Sequence, residues 1–390
     1  MPVPLYLLVA PRSRGGALSR QTNPMDLSRE ALAALRDALL DRLRSVLSRH
    51  GRKLWWLHSF YALALGASVV LFAQKGFERA RFLAISIVVA WLLVIALFRI
   101  FGSGVTQESF EAPASRIAPP TSASPGAKLR FLVMTYVLKN LYQGMLFFLL
   151  PFYWKSSTLG TRNMAFVVLL GACALVATLD VVFDELIIRR RILASIFHGF
   201  TLFATMTLLV PALFPDTRSL HALVAAAAVT VLAFWTLHVP ARAFLQNRNV
   251  LLLISTVIGG MTIAWAVRSI VPPVPMHVGH AAVGPLILPD GRLQMEVQTL
   301  HISAIRQLVA VTDVVIPAGK GDELLHVWRR EGVPVLTSTP RRTKGPSAAL
   351  RLQSMIGAEK LPKELAGAWT VDVMTADDQL VGRLSFQVIE

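Results

Sequence analysis

Seven long apolar runs, at about 54–73, 82–101, 131–153, 164–183, 192–214, 220–239 and 249–271, constrain this chain more than anything else in it. Each is long enough to cross a hydrocarbon core of about 30 Å at a rise of about 1.5 Å per residue. Over 390 residues the chain is 54% hydrophobic and only 16% charged, too apolar for water to cover. The expected fold class is a polytopic α-helical membrane bundle of about seven transmembrane helices, followed by an all-β, sandwich-like soluble domain at the C-terminus.

A formal net charge of +16 raises the question of nucleic-acid binding. The position of the charge answers it. Residues 1–276 hold 27 Lys and Arg against 11 Asp and Glu, whereas residues 277–390 hold 12 of each. The whole excess flanks the apolar runs, as membrane topology requires, and none loads the soluble part, so no nucleic-acid partner is expected. With the N-terminus inside, the cytoplasmic segments carry 19 Lys and Arg and the opposite side six. That bias predicts a cytoplasmic N-terminus and, for an odd helix count, a C-terminal domain on the far side.

The single cysteine, Cys173, sits inside an apolar run and excludes an intrachain disulfide framework. Residues 1–25 read as a disordered N-terminus, with Met25 a better start than Met1. Residues 26–53 read as an amphipathic cytoplasmic helix, because Leu32, Leu35, Leu39, Leu43 and Val46 recur at helical spacing among arginines. A two-helix membrane unit (54–101), a flexible linker rich in Ser, Pro, Ala and Gly (102–130) and a five-helix unit (131–271) follow.

Beyond Pro272, Pro273 and Pro275 the period changes from 3.6 to 2, marking residues 277–390 as β-rich. Trp369, Val371 and Val373 alternate with polar neighbours, as do Leu384, Phe386 and Val388, predicting a hairpin around 375–379. A second hairpin is predicted from 324–330 and 333–339, turned at Glu331 and Gly332. Further strands at 293–301, 306–316 and 348–355 give about seven, the number of a small sandwich.

The elements His326, Trp328, Gly332, Gly367, Trp369, Val371, Val373, Gly382, Phe386 and Val388 resemble the pattern of the family named domain of unknown function 2914. The membrane part, notably Phe152 to Ser156 and Asp184-Glu185 before the arginine triplet, is similar to the multi-pass domain of unknown function 5924. The resemblance covers most of residues 54–390. It implies a bacterial inner-membrane protein with a periplasmic domain and assigns no activity.

Dinucleotide loops, P-loops, HExxH and GxSxG are missing from the sequence. The sharpest chemical candidate is a stripe in the third run, where Tyr136, Lys139, Asn140 and Gln143 fall at i, i+3, i+4 and i+7. Lipid does not solvate such groups, so the stripe is expected to face the bundle, with Asp180, Asp184 and His198 at similar depth. The competing reading makes them structural interhelical glue, and it carries more weight. His277 and His280 offer two metal ligands with no evident third, so a linker is preferred and no metal or cofactor is implied. His326, Trp328 and Trp369 mark the soluble domain, where a packed sandwich face is favoured over a ligand platform. Arg189, Arg190 and Arg191 anchor topology and are placed to meet anionic headgroups of the bilayer.

The leading expectation is a non-enzymatic inner-membrane protein whose periplasmic sandwich binds an envelope protein or glycan. A small-solute, ion or proton transporter is the second class, and an enzyme on lipid-linked substrates the third.

Overall fold

A computed structural model describes residues 125–390, apart from most of 180–189 and the short stretches 240–242, 245, 290, 317–320 and 343–348. Side chains are described from Lys139 onward. The expected N-terminal helix, the first two apolar runs and most of the linker lie outside the described residues.

Among the described residues five helices precede the strands: α1 (Pro125–Lys155), α2 (Met164–Thr178), α3 (Arg191–Leu213), α4 (Ser219–His238) and α5 (Asn247–Ala266). Pro125 opens α1, a position where its missing N–H costs nothing, so the linker gives way to helix earlier than composition suggested. Among the described residues three helices are long and apolar enough to cross a membrane, Ile192–Leu213, Ser219–Thr236 and Asn247–Ala266. Of the seven expected runs, the first two lie outside the described residues and the third forms α1. The fourth run yields only the 15-residue α2, about 22 Å of helix, because the backbone turns extended at Leu179.

Neighbouring helices in space are α2–α1, α1–α3, α3–α4 and α4–α5. The core lies along one face of α1, where Tyr142, Leu146, Leu149 and Tyr153 meet Phe166, Leu170 and Ala174 of α2 and Phe197, Ala204 and Leu208 of α3. Tyr153 is fully buried, and its hydroxyl donates to the Ala204 carbonyl at 2.9 Å and lies 2.6 Å from Thr207 Oγ1. A buried phenol so partnered adds direction to an otherwise apolar seam.

The C-terminal region is a β-rich domain of two sheets. β1 (His277–Gly284), β3 (Leu308–Val315) and β7 (Ala349–Ile356) form an antiparallel three-stranded sheet in the order β1-β3-β7. The larger sheet runs β2 (Thr299–His301), β9 (Leu380–Ile389), β8 (Gly367–Thr375), β4 (Glu323–Arg330), β5 (Val333–Thr337), with β6 (Arg341–Arg342) also on β4. Both predicted hairpins are present, β8 with β9 and β4 with β5. Glu331 and Gly332 turn the second with φ of 48° and 81°, the paired left-handed conformations that a two-residue hairpin needs.

Val283, Leu308, Ala310 and Ile356 of the small sheet pack against Trp328, Trp369, Val371, Phe386 and Val388 of the large one. Two strand expectations change. Residues 277–284, where no strand was expected and His277 and His280 were read as linker, form the edge strand β1, and of 293–301 only Thr299–His301 is strand. β1 carries little signal because it is built from His, Gly, Ala and Val with little side-chain bulk, and it is ordered by pairing seven of its residues to β3 around a bulge at Gly279.

On the outward face of the large sheet, Asp372 is buried under two guanidiniums, Arg329 Nε at 3.0 Å and Arg383 Nε at 2.5 Å. Asp372→Ala leaves both cations unpaired and is expected to destabilise the domain by about 2 kcal/mol, read as a lower urea midpoint.

Candidate functional site

Inside the bundle α1 supplies Lys139, Tyr142 and Gln143 to the buried face, at spacings of three and four. Tyr142 Oη lies 2.6 Å from His198 Nδ1 on α3, with the rings edge-on at 5.8 Å. One turn earlier on α3, Ser195 Oγ is 2.9 Å from Nε2 of His238, the last residue of α4. The other ring nitrogen of His238 lies 2.8 Å from the Phe234 carbonyl. A carbonyl only accepts, so His238 carries its proton on Nδ1 and takes the Ser195 hydroxyl at Nε2. His198 is different. Its Nε2 is buried with no partner, an unmet polar atom within an apolar bundle.

The predicted stripe is therefore rearranged. Lys139 and Gln143 are buried on α1, His198 of α3 is half-buried and bonds Tyr142, and Asn140 is exposed, since it sits about 100° around the helix from Lys139. Tyr136 falls in α1 outside the described side chains, and Asp180 and Asp184 lie outside the described residues. Tyr142, Ser195 and His238 were missed. Tyr142 was signalled by its position three residues after Lys139, and His238 by counting depth from the end of its run.

His326, Trp328 and Trp369 lie fully inside the sandwich. His326 Nε2 is 2.8 Å from Thr312 Oγ1 and Nδ1 is 2.7 Å from Ser354 Oγ, while Trp328 Nε1 donates to Ser354 Oγ at 2.8 Å. Trp369 Nε1 donates to the Leu365 carbonyl at 2.8 Å. The imidazole joins the two sheets and presents no free atom to a ligand. Burial pushes its pKa down to about 4, with Arg341 acting in the same direction.

A pH dependence follows. His326 is neutral in both states above about pH 6.5, and its contribution is fully present there. As pH falls from 6.5 to 4 the unfolded chain takes a proton that the fold refuses, and up to about 3 kcal/mol is lost. Asp322, raised to about 6, acts oppositely: its contribution is largest in acid and is lost as pH rises through 6. An Asp322→Asn chain is therefore expected to show an acid-side loss of sandwich stability that the native chain largely masks, followed by tryptophan fluorescence in urea at pH 7 and pH 4.5.

Asp322 marks the third notable place, where the sandwich meets the bundle. Its carboxylate, 1% exposed, accepts the Ser219 backbone N–H at 3.1 and 2.9 Å and the Ser219 hydroxyl at 2.8 Å. Burial raises its pKa, with Asp377 adding to the rise, against the Ser219 hydrogen bonds and Arg218. Beside it Gly321 lies so close to the Asp216 carbonyl that any Cβ would overlap it. Arg268, just past α5, donates from Nε to the Asp377 carbonyl at 2.9 Å and pairs with Asp378 at 3.0 Å, its guanidinium 4.5 Å over the Trp265 ring. Asn163, just before α2, donates to the Leu380 carbonyl at 3.3 Å. Three helix ends thus hold one end of the sandwich.

Among the described residues no three His, Cys, Asp or Glu side chains gather as a metal site. His280 pairs with Glu296 at 3.3 Å, and His277 lies 3.3 Å from the Pro275 carbonyl.

Residues 36–308 match the profile described as Family of unknown function (DUF5924), and residues 321–388 match Protein of unknown function (DUF2914). No curated protein matches the chain. The first match runs on through β1 and β2 to the start of β3, so the sandwich draws strands from both matched regions. By a match that covers well over half its length, this chain belongs to the family of unknown function DUF5924, and it carries a DUF2914 region at its C-terminal end.

Proposed function

We propose that this is a non-enzymatic bacterial inner-membrane protein, spanning about seven times, that holds a β-sandwich in the periplasm to recognise an envelope protein or glycan. The joint of Asp322 with Ser219, Arg268 with Asp378 and Asn163 with Leu380 carries this reading. It mounts the sandwich on three helix ends, as suits a domain that presents a surface from the bundle.

Charge supports the orientation. Arg190 and Arg248 lie at the helix ends away from the sandwich, with Arg189, Arg191 and Arg242 adjacent in sequence. Basic residues concentrate on the cytoplasmic side of membrane proteins. At the sandwich end Trp154, Phe214 and Trp265 are exposed, as aromatic residues at a membrane interface are. Arg189 to Arg191 would then meet anionic headgroups. A reporter fused after Glu390 and active only outside the cytoplasm is expected to give signal; activity of a cytoplasmic reporter there would overturn the orientation.

A second reading, movement of protons through the bundle, is favoured by the Tyr142–His198 pair and its unmet ring nitrogen. Under it, His198→Phe abolishes proton flux in proteoliposomes. Equal flux in the two proteins would end this reading.

A further inference from the structure

Helix α4 is held at both ends by side chains from elsewhere in the chain. Arg218, the residue before it, gives no side-chain cap; the capping carboxylate arrives from Asp322 of the sandwich, 103 residues away in sequence. A helix start leaves backbone N–H groups without partners, and this contact supplies the acceptor for the first of them, the Ser219 N–H. At the other end His238 takes the hydroxyl of Ser195, one turn from the His198 that bonds Tyr142. Between them α4 buries chiefly small side chains, Ala222, Ala226, Ala227 and Ala233, partly against Leu202, Met206 and Leu209 of α3. Such a shallow surface interlocks little along the helix axis and suits the 1–2 Å shifts by which packed helices transmit change.

We propose that α4 is a coupling rod, through which displacement of the sandwich at Asp322 is delivered to the His238–Ser195 contact beside the Tyr142–His198 pair. The joint at the near end sets where the rod begins, and the histidine contact at the far end reads its position. This rests on the geometry at the two ends of α4 and stands whether or not the sandwich binds a periplasmic partner.

The test is amide hydrogen exchange of the full chain in lipid nanodiscs, comparing native protein with Asp322→Ala and Asp322→Asn. Loss of a cap accelerates exchange by about fivefold. Asp322→Ala is expected to do so at residues 219–223 and also at 235–239 and 193–198, with residues 369–373 in the sandwich interior unchanged. Asp322→Asn, which keeps an acceptor oxygen, is expected to restore most of the protection at both ends. Acceleration at 219–223 alone would overturn the coupling, and no acceleration anywhere would overturn the cap itself. If Asp322→Ala opens the sandwich interior, Ser219→Ala, which removes only the hydroxyl contact, replaces it under the same criteria.

Discussion

A chain cut to residues 321–390 is expected to stay unfolded, although it contains the whole DUF2914 match. The cut removes β1, β2 and β3. With them go Val283, Leu308 and Ala310, which cover Trp328, Trp369 and Phe386 from the small sheet, and Leu300 of the same core. It also removes Thr312, one of the two hydroxyls that satisfy His326. Two strands of the small sheet are lost, leaving β7 without its partner and one face of the large sheet open to water. Seventy or so residues with half a core fall below what a single domain needs for independent stability. A fragment beginning at residue 272 keeps every strand and is expected to give native β-sheet circular dichroism with a cooperative urea transition. A cooperative transition in the shorter fragment would show that the small sheet is dispensable.

Trp328→Ala is expected to cost about 4 kcal/mol, most of the stability of a domain this size. The indole is fully buried between the sheets, edge-on to Phe386 with centroids 6.2 Å apart, and its N–H is bonded to Ser354. The alanine variant leaves a large void. Ser354 in turn loses the donor that balances its bond to His326. Trp328→Phe retains most of the packing and loses the hydrogen bond, so about 1–2 kcal/mol is expected. Urea midpoints of the 272–390 fragment and its two variants measure both quantities, and equal midpoints for the variants would mean that the void closes by repacking.

The parts legible from sequence were those whose cause is local. The alternation through Trp369, Val371 and Val373 predicted β8 because a half-buried strand must alternate, and Glu331-Gly332 predicted a turn because its backbone needs positive φ. What escaped was set by distant partners. β1 carries little apolar signal and owes its order to β3. Asp322 follows a glycine in what reads as an ordinary loop, and only folding brings it to Ser219.

In the bundle, Lys139, Tyr142 and Gln143 are buried and Asn140 is exposed, whereas the spacing grouped Tyr136, Lys139, Asn140 and Gln143. What sets Tyr142 apart is a hydroxyl bond across to α3, which spacing along one helix does not reveal. Apolar run length likewise overstated α2. Composition measures how much of a segment lipid tolerates, whereas helix ends are decided by where the backbone turns.

The place of β9 in the large sheet bears on how the protein is made. β9 lies between β8 and β2, antiparallel to one and parallel to the other, and so joins residues 299–301 to residues 387–389. Until a ribosome has supplied residues 380–389, β2 has no partner in the sheet and the apolar faces of Trp328 and Trp369 remain open. The sandwich therefore closes late, after the helices before it have been synthesised, and pairings of this long range are slow to form. During that interval the chain exposes unpaired strand edges, the state in which a folding chain is most prone to aggregate.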